Sequence, residues 1–204
     1  MSSLRRGVGL VDSPAYVSCV AKDNASAEIQ RWRRAAASWT IDSMLSWEDR
    51  IAEFWRDADD TDPVHMRMQI DQLLSAAECS DARALFERAC LEDFLGEESA
   101  AVPLYEASLS HGLDIDRENQ ARIQLASSLR NVGRQDDALR VLEEFEFSTE
   151  YSSARDAFVA LALWDKGDGA QALRNALHAA DPALGRYRRA IGAYAAELFD
   201  DRQP

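Results

Sequence analysis

Histidine, lysine and cysteine are all scarce in this 204-residue chain, with three, two and three copies. His65, His111 and His178 stand alone, none with a second histidine three or four residues on. Cys79 and Cys90 are eleven apart with no second pair, and Cys19 is remote. A zinc site draws on ligands paired at short spacing, so no metal site is expected. Odd, sparse cysteines do not make a disulfide scaffold and fit a reducing compartment. No apolar run approaches the roughly 18 residues that a membrane-spanning helix requires. Gly7–Val11 runs at once into Asp12, Ser13 and Pro14, too short for the apolar core of a secretion signal. A cytoplasmic protein is therefore expected. Positive charge is also in deficit: 23 Lys and Arg against 36 Asp and Glu leave a net charge of −13. That argues against nucleic acid, which binds basic faces, and against anionic membrane surfaces.

The motifs of common enzymes are missing too. There is no GxGxxG and no GxxxxGK, and Gly7-Val8-Gly9 lacks a preceding strand. Lys166-Gly167-Asp168-Gly169 reads as a turn between helices. No nucleophile elbow surrounds a serine or cysteine. Carboxylate pairs such as Asp59/Asp60, Asp136/Asp137, Glu143/Glu144 and Asp200/Asp201 fit solvated faces or helix starts. The expectation is a non-enzymatic protein with no catalytic residue and no cofactor.

A hydrophobic content of 47% excludes global disorder. Charge is unevenly spread. Residues 1–45 hold six basic and four acidic groups, a net of +2, and residues 46–204 hold 17 and 32, a net of −15. The shift marks a boundary near Ser46. The first 45 residues read as an extension, mostly loop. One amphipathic helix within 26–45 carries Ile29, Trp32, Ala36 and Trp39 on a stripe. That helix either packs on the body or docks on a surface or partner. Met44, just before the shift, is a candidate alternative start, which would leave residues 1–45 outside the native protein.

From Ser46 onward the signal is helical. Ser46 with Asp49 resembles a capping box, and Trp47, Ile51, Phe54, Trp55 and Ala58 form one stripe. Asp62-Pro63 supplies an N-cap followed by a first-turn proline, before a stripe of Met66, Ile70, Leu73, Leu74 and Ala77. Asp181-Pro182 repeats that start signal ahead of Leu184, Tyr187, Ile191, Tyr194, Ala195 and Leu198. No stretch alternates with period 2, and Ala and Leu dominate over Val, Ile and Thr. The class is all-α.

Gly96, Gly133 and Gly167 punctuate the middle of the chain at spacings of 37 and 34, each between two apolar helices. Such a period belongs to stacked helical hairpins. Ala101 precedes Tyr105 by four residues, as Ala138 does Leu142 and Ala172 does Ala176. Ala89, Ala126 and Ala160 mark the small positions of the first helix in each hairpin, here called helix A. With these residues, and with Ala84-Leu85-Phe86-Glu87-Arg88-Ala89, Gln124-Leu125-Ala126-Ser127-Ser128-Leu129-Arg130-Asn131 and Arg186-Tyr187-Arg188-Arg189-Ala190, the chain resembles the tetratricopeptide repeat family, in particular short bacterial members. Glu92 departs from the pattern, which places a large residue there, and Pro103 falls inside a second helix, where a local bend is expected.

The resemblance covers about residues 46–200. It implies a right-handed solenoid of antiparallel hairpins at about 47–78, 82–113, 119–148 and 153–180, closed by a helix over 183–199. It also implies a protein-binding groove lined by helix A of each hairpin. Its positions carry over to Arg83, Phe86 and Asp93, then Gln120, Gln124, Ser127, Arg130 and Asn131, then Trp164. Arg130 and Asn131 offer forked and two-sided hydrogen bonding to a peptide, and Trp164 an aromatic anchor. Each has a competing reading: a salt bridge from Arg130 to Asp93 or Asp165, and core packing for Trp164. The carboxylate clamp by which some family members hold chaperone tails is not expected, because Phe86, Cys90, Gln124, Ala154 and Phe158 replace its Lys, Asn, Asn, Lys and Arg. The implied function is an adaptor for a peptide or helix of a protein partner. The alternative is a regulatory repeat protein that binds a small ligand or associates with itself.

Overall fold

The computed structural model describes residues 46–75 and 80–197. The expected helix within 26–45, Met44, Cys19, Cys79 and residues beyond 197 lie outside them. Nine α-helices and no strands make up the described residues. They are α1 (Trp47–Arg56), α2 (Pro63–Leu74), α3 (Asp81–Phe94), α4 (Glu98–His111), α5 (Ile115–Asn131), α6 (Gln135–Glu143), α7 (Ser152–Asp165), α8 (Gly169–Ala179) and α9 (Arg188–Glu197). The all-α reading holds.

Helix starts follow local chemistry. At α1 the Ser46 hydroxyl accepts from the Asp49 amide at 3.1 Å, and the Asp49 carboxylate accepts from the Ser46 amide at 3.1 Å. Two of the donors that every helix N-terminus leaves unpaired are thereby satisfied. Asp62 caps α2 through the His65 amide at 3.0 Å, with Pro63 in the first turn. Ser80, Asp114 and Asp168 cap α3, α5 and α8 in the same manner. Asp181-Pro182 does not open a helix. It begins one 3-10 turn (Asp181–Ala183) and a second follows at Gly185–Tyr187, so α9 starts only at Arg188. Gly185 at φ +52° opens the second of them, in a conformation that a helix cannot continue through. Pro103 leaves α4 unbroken. Pro103 and Ser99, whose carbonyl loses its partner, are both exposed, so water can serve that carbonyl.

Three turns are built alike. At Gly96, Gly133 and Gly167 the backbone sits at φ +75°, +82° and +88°. The glycine amide donates back three residues, to Asp93, Arg130 and Trp164 respectively. The next amide donates back five, as Glu97 does to Glu92, Arg134 to Leu129 and Asp168 to Leu163. This is the Schellman ending of a helix, which closes the free carbonyls of the last turn. It joins α3 to α4, α5 to α6 and α7 to α8.

The core has two parts. Trp47, Ile51, Phe54, Trp55, Met66, Ile70 and Leu74 of α1 and α2 close over Leu91 of α3, with Phe94 edge-on to Trp55 at 6.2 Å. The larger part runs through α3 to α7. Tyr105, Leu129 and Leu142 fill it, while Ala89, Ala101, Ala121, Ala126, Ala138 and Ala162 have no exposed surface. Alanine at the crossings lets the helix axes approach, and the large residues fill the space toward the next hairpin. α3 faces both parts, with Leu91 on one and Phe86 and Ala89 on the other.

No atom lies within 4 Å of a Cβ built on Gly133, so only its backbone angle resists substitution. Gly133→Ala is expected to cost about 1 kcal/mol, read as a lower thermal midpoint, and Gly133→Asn less than Gly133→Ala because asparagine tolerates that region.

Candidate functional site

Because the hairpins recur at about 34 residues, equivalent turns of successive A helices face each other. The side chains there interlock. Ser128 donates to Asp93 at 2.8 Å, Arg130 donates to Asp165 at 2.8 Å, and Tyr151 donates to Asp116 at 2.5 Å. Each pair is 35 residues apart. Cys90, 34 residues before Gln124, donates to its side-chain oxygen at 3.2 Å, and Tyr105 donates to the same oxygen. Arg83 of α3 pairs with Glu48 of α1, 35 residues back, and lies over the Trp47 ring at 4.2 Å. A polar seam thus runs from one hairpin to the next.

The seam occupies most of the residues that the repeat numbering assigns to a groove. Arg83 is held by the first hairpin. Phe86 is buried against Tyr105, ring centroids 6.3 Å apart. Asp93 receives Ser128. Gln120 is buried and donates to Asp116 at 2.9 Å and Tyr151 at 3.1 Å. Gln124 and Ser127 are buried. Arg130 forms the bridge to Asp165, and exposed Asn131 donates to Glu98 of α4 at 3.1 Å. Trp164 differs from all of these. It is 69% exposed, with Leu161 one turn earlier at 44%. Core packing is therefore not its role, and its ring lies 3.8 Å from where a Cβ on Gly169 would stand.

Glu92, where the family pattern has a large residue, makes a two-pronged bond with Arg67 of α2, at 2.9 and 2.6 Å. It ties the second hairpin to the first. Glu87 is fully buried and accepts from the Trp55 indole at 2.8 Å. Burial pushes its carboxyl above the usual range, against the opposing pull of the indole, Arg117 and Arg83. Neither role was evident from the chain, because both depend on α1 and α2 folding over α3. A comparison of residues 34 and 35 apart would have found the seam.

Asp93 carries the other perturbed carboxylate. Burial pushes it up to about 6, although the hydrogen bond from Ser128 opposes the shift. The Tyr151 phenol is raised by burial and by its bond to the Asp116 carboxylate. Further along, a cleft of about 460 Å³ opens between α7, α8 and α9. In its wall His178 meets buried Asp156 at 2.5 Å, and Arg155 reaches the same carboxylate at 3.1 Å. Among the described residues no group of three or more His, Cys, Asp or Glu is placed to hold a metal. No described helix is long and apolar enough to cross a membrane.

Antiparallel helix pairs with one recurring turn, small residues at each crossing and a seam at the repeat spacing define a helical-repeat protein. A family profile described as tetratrico peptide repeat matches residues 82–198, more than half of the chain, and the chain belongs to that family. No curated protein and no solved structure matches it. Membership makes a protein–protein interaction module the general function.

The Asp93 shift has a definite sign. A carboxyl raised in the folded protein contributes stability fully below its ordinary value near 3.8, and that contribution is lost as pH rises through about 6. Asp93→Asn removes this dependence. Its stability relative to the parent is expected to improve between pH 4 and pH 7.5, by about 3 kcal/mol at most, measured by urea melts across that range.

Proposed function

We propose that this protein is a non-enzymatic cytoplasmic adaptor that holds a peptide or helix of a protein partner in the concave groove of a right-handed solenoid. The observation that carries this reading is the exposure of Trp164 beside Leu161 on α7. A large aromatic left in water beside a second apolar side chain has the character of a binding anchor. Arg130 and Asn131, on the neighbouring helix A of α5, supply the polar rim. The bridge to Asp165 holds the Arg130 guanidinium in place, so less side-chain freedom is lost on binding. With residues 46–204 at a net −15, basic or apolar segments are favoured as partners, more in on-rate than in affinity. The low and odd number of cysteines supports the cytoplasmic placement. The cleft between α7, α8 and α9 supports the alternative, a small ligand, since its size suits one.

The test is affinity capture from a native lysate with the full chain as bait, beside Trp164→Ala and an Arg130→Ala/Asn131→Ala double variant. For a partner so identified, Trp164→Ala is expected to weaken binding by about 2 kcal/mol or more, roughly thirtyfold. Folding stability should change by no more than about 0.5 kcal/mol, because an exposed side chain is removed. Equal capture by all three baits would overturn the groove reading.

A further inference from the structure

The two ends of the described chain carry opposite charge. Residues 46–75 hold eight acidic groups and three basic ones, a net of −5. Residues 185–197 hold Arg186, Arg188 and Arg189 against Glu197, a net of +2, with Arg188 bridged to Asp181 just ahead of the segment. Residues 80–184 between them are acidic as well, with ten basic and twenty acidic groups.

Each end also leaves large apolar side chains in water. On α2, Val64 and Met68 are more than half exposed and stand four residues apart, hence on one line of the helix. Asp59 and Asp60 lie in the turn just before that helix, both exposed. At the other end Tyr187 and Tyr194 are more than half exposed. The Arg186 guanidinium lies over the Tyr187 ring at 5.0 Å and donates to its hydroxyl at 2.9 Å. Tyrosine and arginine are the residue types most often found at the energetic centre of interfaces.

We infer that the basic, tyrosine-bearing segment 185–197 is a docking surface for the acidic first hairpin of a second copy of this chain. Opposite charge selects this occupant over a symmetric one. Pairing two C-terminal segments, or two first hairpins, would set like charge against like. A head-to-tail contact leaves one free patch at each end of every assembly, so growth is open-ended unless the geometry closes a ring. The patches are small and their charges exposed, so the contact is weak and salt-sensitive. The inference is independent of the peptide groove, because it uses neither Trp164 nor the seam.

Sedimentation equilibrium of the full chain at low salt tests it. The average mass should rise with concentration and fall back when salt is added. Two charge reversals, Arg186→Glu/Arg189→Glu and Asp59→Arg/Asp60→Arg, should each lower the association constant at least about tenfold. Mixed one to one, they should regain most of the association, since each then finds a complementary end. Circular dichroism melts matched to the parent show that these surface variants remain folded, and Trp164→Ala should associate like the parent. A chain that stays monomeric at low salt overturns the inference. So does a charge reversal without effect, or a mixture that stays monomeric.

Discussion

Among the described residues, the packing of one hairpin on the next depends on how closely the helices cross. Ala89, Ala101, Ala126 and Ala138 are wholly buried at these crossings, and Ala160 and Ala172 nearly so. A methyl group is about the most that fits where two helix axes approach to roughly 8–10 Å. That approach allows Tyr105, Leu129 and Leu142 to fill the space toward the next hairpin. It also brings successive A helices close enough for hydrogen bonds. The third hairpin lacks the large partner. Ala176 stands where Tyr105 and Leu142 stand in the earlier hairpins. There α8 buries only Ala172, with Ala176 itself exposed, α9 buries only Ala195, and a cleft lies between α7, α8 and α9.

Polar contacts follow from that packing. Glu87 and Asp93 sit where a charge is costly to bury, and each has a specific partner, Trp55 and Ser128. Such groups are weak contributors to net stability, because desolvation offsets much of what the contacts supply. They do define register: a hairpin displaced by one turn would leave a buried carboxylate without its donor. The exposed pairs, such as Arg88 with Asp71 and Lys166 with Asp136, add little individually. The same seam explains why a groove read from repeat numbering is mostly occupied by the protein itself. Arg83, Asp93, Gln120, Gln124 and Arg130 point toward neighbouring hairpins and bond to them, whereas Trp164 and Leu161 stay exposed.

Much of the fold was legible where the deciding chemistry is local. The Ser46–Asp49 box and the Asp62-Pro63 start need only a few neighbouring residues, as do the glycine turns, and all of them form. Asp181-Pro182 carries the same start signal and gives a 3-10 turn, because Gly185 three residues on takes a conformation incompatible with a helix. The bridge from Arg130 to Asp165 was one of two partners that repeat spacing offers. The buried pairing of Glu87 with Trp55, 32 residues apart, was not legible, because it depends on the angle at which the first hairpin meets the second.

The sequence by itself determined the class, the glycine turns, the repeat and the helix starts other than the last, because each rests on interactions within one or two helical turns or on a period that can be counted. Tertiary structure alone decided which polar residues were consumed by neighbouring hairpins and which side chains stayed in water. Residue type does not distinguish a buried glutamine from a groove-lining one, or a core tryptophan from an exposed one. That choice is made by the space left between hairpins, which is filled around Tyr105, Leu129 and Leu142 and left open as a cleft between α7, α8 and α9.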